Sequence, residues 1–197
     1  AEETGLILPL GYWVLKEAFI QQSKWLQSGM APDILAINIA AKQIYYTDLV
    51  ATITNLLEMY EIDPHTIELE ITERIIVENP DYTIKVLNTL RSLGVRISID
   101  DFGTGYSSLS YLKTLPLDKI KIDQSFIRGI PASHEDAQII KTIISLSQGL
   151  NKSVIAEGVE TEGQKSFLQE AGCSEMQGYL FAKPLPAVEF EQFMREG

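Results

Sequence analysis

The sequence predicts an α/β fold in which parallel strands alternate with covering helices. Short runs rich in Ile, Leu and Val recur along the chain, and polar residues stand at their ends, the pattern of strands buried on both faces. Between them lie longer segments with apolar residues three and four apart, as in helices laid on a sheet. The 197 residues are 45% hydrophobic and 22% charged. That composition is ordinary for a globular domain, so the chain can bury a core and is not disordered.

Taken in order, Leu10 to Gln27 carries Leu10, Val14, Leu15, Ala18, Phe19, Gln22 and Trp25 at helical spacing, so the chain is expected to begin at or inside a helix. Beyond Gly29 and Pro32, the run Ile34 to Ile37 predicts a buried strand stopping at Asn38. A helix from about Thr47 to Tyr60 follows, with Thr47 as its N-cap. Ile67 to Ile71 is the next strand, Asp81 to Leu93 a helix ended by Gly94, and Val95 to Ile99 a strand ending at Asp100. A glycine-containing turn and a short helix near Leu109 to Lys113 lead to the strand Lys119 to Asp123. Glu135 to Leu150 bears the stripe Ile139, Ile140, Ile143, Ile144, Leu146 and Leu150 of a packed helix. Ser153 to Ala156 runs as a strand into Glu157. A helix near Glu162 to Glu170, a strand around Met176 to Leu180 and a helix after Pro186 complete the chain.

No linker or low-complexity stretch divides this series, so residues 1–197 are read as a single domain. Six strands are visible, whereas an eight-stranded α/β barrel takes about 250 residues. The expectation is a barrel-type sheet whose first strands lie upstream of residue 1.

Twenty-seven acidic against 16 basic residues give a net charge of −11, which argues against a DNA-coating surface. The lone Cys173 excludes an internal disulfide and a cysteine-rich zinc site and is expected to be a small buried thiol. No run of about 18 apolar residues marks a membrane span. The start, AEETGLILPLGYW, lacks the basic region of a signal peptide.

Position singles out the candidate site. Asn38, Glu70, Asp100, Asp101, Lys121, Asp123, Glu157 and Gln177 all fall at or near the C-terminal ends of predicted strands, where barrels and open α/β sheets alike bind their ligands. Glu70, Asp100, Asp101 and Glu157 repel one another unless a hard cation joins them through oxygen. With no His or Cys in the set, Mg²⁺ or Mn²⁺ is favoured over zinc, and the adjacent Asp100-Asp101 pair suits two ions and phosphodiester chemistry. Lys121 and Asp123 lie two apart on a strand and point the same way. The lysine is suited to orienting water or offsetting phosphorane charge, and a structural ion pair is its simpler alternative. Asp100 to Ser108, with Gly103 and Gly105, has neither a dinucleotide fingerprint nor a P-loop lysine, and is read as a loop over the site. His65 and His134 are assigned no catalytic role.

The ordered segments ELEITE (68–73), DDFGTGYSSLSYL (100–112), KIDQSFI (121–127), AEGVET (156–161) and QGYLFAKPL (177–185) resemble the EAL-domain family of bacterial cyclic di-GMP phosphodiesterases across essentially the whole chain. The resemblance implies a modified TIM-like (β/α)8 barrel with an antiparallel first strand, incomplete at its N-terminal side in this sequence. It implies hydrolysis of cyclic di-GMP to linear pGpG with two Mg²⁺ or Mn²⁺ ions. One ion would be held by Asn38, Glu70 and Asp100, the other by Asp100, Asp101 and Glu157. Lys121 and Asp123 would position the water, with Glu157 also a general base. Glu73 would support the glycine-containing loop, Glu160 the Glu157 segment, and Gln177 would lie near the substrate. A homodimer, fusion to sensory or GGDEF-type domains, and a cytoplasmic place, in a soluble or a membrane-attached protein, are also implied.

Two departures from that pattern stand out. The Glu-Ala-Leu motif that names the family, with the arginine after it, belongs upstream of Ala1, so one metal ligand is missing from this sequence. Ala40 occupies a position where the family commonly has serine. The alternative reading is therefore a receptor that binds cyclic di-GMP without cleaving it. Retention of Glu70, Asp100, Asp101 and Lys121 favours the enzyme.

Overall fold

The computed structural model describes residues 5–105 and 109–196. In chain order the elements are helix α1 (Ile7–Ser28), strand β1 (Leu35–Ile39), helices α2 (Ala41–Tyr46) and α3 (Leu49–Tyr60), strand β2 (Ile67–Thr72), helices α4 (Glu73–Glu78) and α5 (Pro80–Ser92), strand β3 (Arg96–Phe102), helix α6 (Leu109–Thr114), strand β4 (Lys119–Ile122), helices α7 (Gln124–Ile127) and α8 (His134–Gly149), strand β5 (Ser153–Ala156), helix α9 (Glu162–Glu170), strand β6 (Glu175–Met176) and helix α10 (Ala187–Glu196). They form two compact units. Ala1–Ile71, Ile75–Ile97 and Leu185–Gly197 make the first, and Thr72–Arg74 with Ser98–Pro184 make the second. No described helix is long and apolar enough to cross a membrane.

In the first unit, β1 and β2 pair in parallel from Leu35 opposite Ile67 to Ile39 opposite Ile71. Helix α1 packs on β1, α2 and α3. Its buried face is Leu15, Phe19, Gln22 and Trp25, spaced three and four apart as one stripe requires. Gly29, in the left-handed conformation, ends α1 by donating to the Leu26 carbonyl. Helix α10 returns to this unit, where the Phe190 ring lies 5.2 Å from that of Trp25. The Trp25 indole N–H donates to Glu191 Oε1 at 3.0 Å, satisfying the polar end of a largely buried ring.

In the second unit, β3, β4, β5 and β6 are successive parallel neighbours. Ile99, Ile120, Ile122 and Ala156 are wholly buried. Helix α8 lies on β4 and β5 with Ile140, Ile143 and Ile144 inward. Between β3 and β4 the register slips: Ile99 faces Ile120, yet Phe102 faces Ile122. One extra residue is therefore inserted in β3 at the Asp100-Asp101 pair, a β-bulge.

The structure differs from the sequence expectation in four places. The helix expected from Thr47 is N-capped by Asp48, which accepts from the Ala51 N–H, and is preceded by a separate α2. The segment after β2 is a helix, α4, and Gln124–Ile127 is another, α7. The strand expected from Met176 to Leu180 ends at Met176, because the chain turns there: the Val159 N–H bonds to the Gln177 carbonyl and the Phe181 N–H to that of Gly178.

Candidate active site

The second unit holds eight of the ten predicted site residues, and five of them, Asp100, Asp101, Lys121, Asp123 and Glu157, interact directly. Consecutive residues on a regular strand point to opposite faces, so Asp100 and Asp101 ought to diverge. The bulge cancels that alternation. Asp101 takes a left-handed conformation, φ 54°, and its N–H donates to Asp100 Oδ1 at 3.0 Å. The Thr104 hydroxyl then donates to the Asp101 carbonyl at 2.8 Å. Oxygens of Asp100, Asp101 and Glu157 lie within 4.8 Å of one another.

Lys121, on β4 and 4% exposed, reaches into this group. Its Nζ stands 3.1 Å from Asp100 Oδ1 and 2.7 Å from Glu157 Oε1. Glu157 directly follows β5 and is held at the sheet's end by its N–H, which donates to the Ile122 carbonyl at 3.1 Å. Asp123 does not continue β4 but N-caps α7, where its Oδ1 accepts from the Ser125 N–H at 2.9 Å.

Asp101 and Asp123 share a side-chain hydrogen bond and titrate in opposite senses. Burial, then the charges of Asp100 and Asp123, push the Asp101 carboxyl above its usual range against the pull of Lys121. Burial also works to raise Asp123, but hydrogen bonds from Ser125, Asp101 and the Gln124 N–H outweigh it and hold that carboxyl low. Their shared hydrogen bond favours a proton on Asp101 over one on Asp123. A divalent cation would take that proton's place.

The buried Glu73 accepts the Gly103 N–H on Oε2 at 3.2 Å. Gly103 stands at φ +100°, and a side chain there would meet the Phe126 ring at 3.0 Å, so this tether needs glycine. Tyr106, Ser107 and Ser108, the rest of the predicted loop, lie outside the described residues. Gln177 anchors its main chain to Ala156, its N–H donating to that carbonyl at 2.8 Å. It lines a cavity of about 310 Å³ with Glu157, Glu160, Gln124, Arg128 and Tyr179. Sequence reasoning passed over Gln124, Arg128 and Tyr179. They carry no strand-end signal, and only the cavity reveals them.

Asn38 and Glu70 belong to the first unit, where they are register partners on β1 and β2. Ala40 caps α2 without a side-chain oxygen, its N–H donating to Gln43 Oε1 at 3.0 Å. His65 lies in a turn beside Gly94 and His134 opens α8. A larger cavity, about 440 Å³, lies in the first unit among Tyr45, Tyr46, Glu78, Asn79 and Tyr82. None of the predicted site residues lines it.

The family model of the EAL domain matches residues 1–184. The chain belongs to the EAL-domain family. It is 46% identical over its whole length to signaling protein YkoW of Bacillus subtilis (strain 168), spanning 24% of that protein. Its EAL fold superposes on the c-di-GMP complex of the PaMucR phosphodiesterase with a TM-score of 0.92 at 44% identity, covering 96% of this chain and 77% of that one. A manganese and cyclic di-GMP complex of Klebsiella pneumoniae BlrP1 matches with a TM-score of 0.81 at 33% identity, over 90% of this chain and 45% of that one. The α/β class predicted from alternation is thus the class of the solved EAL domains. The chain spans about a quarter of the length of the curated relatives it matches.

Proposed function

We propose that this EAL domain is a metal-dependent phosphodiesterase that opens cyclic di-GMP to linear pGpG. The observation that carries the reading is the buried Lys121 ammonium set between Asp100 and Glu157, with Asp101 completing a carboxylate triad. Family membership, and relatives solved with cyclic di-GMP, supply the substrate class.

The donor set fits Mg²⁺ or Mn²⁺: Asp100, Asp101 and Glu157 offer hard oxygens that converge, with no His or Cys among them. The resemblance adds Asn38 and Glu70, giving one ion to Asn38, Glu70 and Asp100 and a second to Asp100, Asp101 and Glu157. Bound there, the ions would acidify a water and neutralise phosphate charge. The residues of this chain then do the rest. Lys121 orients the water and faces the charge that builds on phosphorus. Asp123 fixes Asp101, and Glu157 accepts the proton as the water's oxygen bonds to phosphorus and the 3′ oxygen leaves. Glu73 holds the Gly103 segment in place, Glu160 belongs to the turn that carries Glu157, and Gln177 contacts substrate.

We further infer a module of a longer signalling protein, which the length of the relatives supports, and from the family resemblance a homodimer on the cytoplasmic side, in a soluble or membrane-attached protein. Incubation with cyclic di-GMP and Mn²⁺, followed by chromatography, tests the activity. Appearance of pGpG that chelation abolishes is expected. Binding without cleavage would replace the enzyme with a receptor.

A further inference from the structure

We propose that the cavity of about 440 Å³ in the first unit is a binding site for a small quaternary ammonium compound. Its lining is Tyr45, Tyr46, Glu78, Asn79 and Tyr82. The first two close helix α2, Glu78 ends α4, Asn79 caps α5 and Tyr82 lies in the first turn of α5. The Tyr45 and Tyr82 rings stand 6.2 Å apart with their planes tilted by 35°. The Tyr45 hydroxyl donates to the Ile75 carbonyl and shares a hydrogen bond with Thr83 Oγ1 at 3.0 Å, which fixes that ring at the base of the cavity.

The lining decides the charge of the occupant. Three aromatic rings carry negative faces, Glu78 adds a carboxylate, and no Lys or Arg is among the lining residues. A cation is drawn to such a wall and an anion is repelled. The hydrogen bonds decide which cation. The Tyr45 hydroxyl is committed to Ile75 and Thr83, and Asn79 Oδ1 accepts the Tyr82 N–H at 3.4 Å. Acceptors for a head group rich in N–H donors are therefore already engaged, whereas ring faces suit a methylated ammonium, which carries charge and needs no acceptor. The lining comes from the ends of three helices and offers no strand edge along which a peptide main chain could pair, so the occupant is a small molecule.

The test titrates the chain with choline and with the uncharged alcohol of the same shape, in which carbon replaces the nitrogen, and follows the tyrosine ring resonances by NMR. Choline is expected to shift Tyr45, Tyr46 and Tyr82 saturably and to bind about 2- to 30-fold more tightly than the alcohol. Tyr46 and Tyr82 are 72% and 41% exposed, so leucine at either position leaves the core intact while it keeps apolar bulk and removes a ring face. Each of Tyr46→Leu and Tyr82→Leu is expected to reduce the preference for choline, and the double variant to erase it. Glu78→Gln is expected to weaken choline and leave the alcohol unchanged. Equal binding of the two compounds by the unaltered chain would mean a merely apolar cavity and overturn the proposal, as would no binding of choline or a preference that survives in the double variant. Cyclic di-GMP takes no part in these titrations, so their outcome is separate from that of the phosphodiesterase reading.

Discussion

Lys121 and Glu157, on adjacent strand ends, meet at 2.7 Å from Nζ to Oε1, and the same ammonium touches Asp100 at 3.1 Å. The lysine's side chain is 5% exposed and the acids' 15% and 19%, so these are interior contacts that water screens weakly. One cation thus holds together two carboxylates that would otherwise repel.

Replacing Lys121 by Met leaves those acids without their countercharge. We expect a loss of 10²-fold or more in turnover, a loss of stability of about 1–3 kcal/mol discounted for the acids' partial exposure, and a larger gain in Tm on adding Mn²⁺ than the unaltered chain shows. Thermal melts with and without Mn²⁺ check this. Equal gains in both proteins would remove Lys121 from the site.

Asp101 carries a raised carboxyl, so protons compete with a cation at its oxygens up to a higher pH than for an ordinary carboxylate. Metal affinity should therefore rise with pH and level off once Asp101 is ionised. Asp101→Asn keeps a residue that tolerates the left-handed conformation but removes the titration. Its Mn²⁺ affinity, by calorimetry from pH 5 to 8, should be lower and flatter with pH.

Glu73→Ala deletes the acceptor of the Gly103 N–H. The bond is part-buried, so its loss costs about 0.5–1.5 kcal/mol, and the loss falls on the residues following the Asp pair. Turnover should drop more than Mn²⁺ affinity, and Glu73→Gln, which keeps an acceptor oxygen, should recover part of it.

Cys173 is buried, with its Sγ 3.2 Å from the Glu175 carbonyl, and burial pushes its pKa up to about 11. The fold thus favours the neutral thiol. Its contribution to stability is full below the unfolded thiol's pKa near 9 and is lost as pH rises toward 11. A thiol reagent at pH 8 should label Cys173 only in denaturant, and Tm should fall between pH 9 and 11 more steeply than in Cys173→Ala.

How far the sequence disclosed this arrangement depends on the kind of signal. Strands β2 and β5 and helix α9 were legible almost to the residue, because Ile67, Leu69 and Ile71 alternate with Glu68 and Glu70, and Val154 to Ala156 runs apolar to the polar Glu157. The acids at strand ends were legible for the same reason. The bulge was not: two adjacent aspartates look like one inward and one outward residue, and only the slip from Ile99 to Phe102 shows how both are placed. Asp123 looked like a strand residue because its role as a cap depends on the Ser125 N–H, a main-chain partner that side-chain patterning does not disclose. Arg128 and Tyr179 acquire meaning only from the shared cavity.

Helix α10 belongs to the first unit although it follows the whole second unit in sequence. Trp25 receives its partner Glu191 from 166 residues later. On the ribosome that delay is on the order of ten to thirty seconds. Throughout it the Trp25 indole lacks the contacts with Phe190 and Glu191, and within it residues 98–184 are all made. Synthesis thus lets the second unit, with Asp100, Lys121 and Glu157, mature ahead of the first. A nascent chain stalled before Ala187 would display an uncovered tryptophan, the kind of apolar surface that chaperones capture.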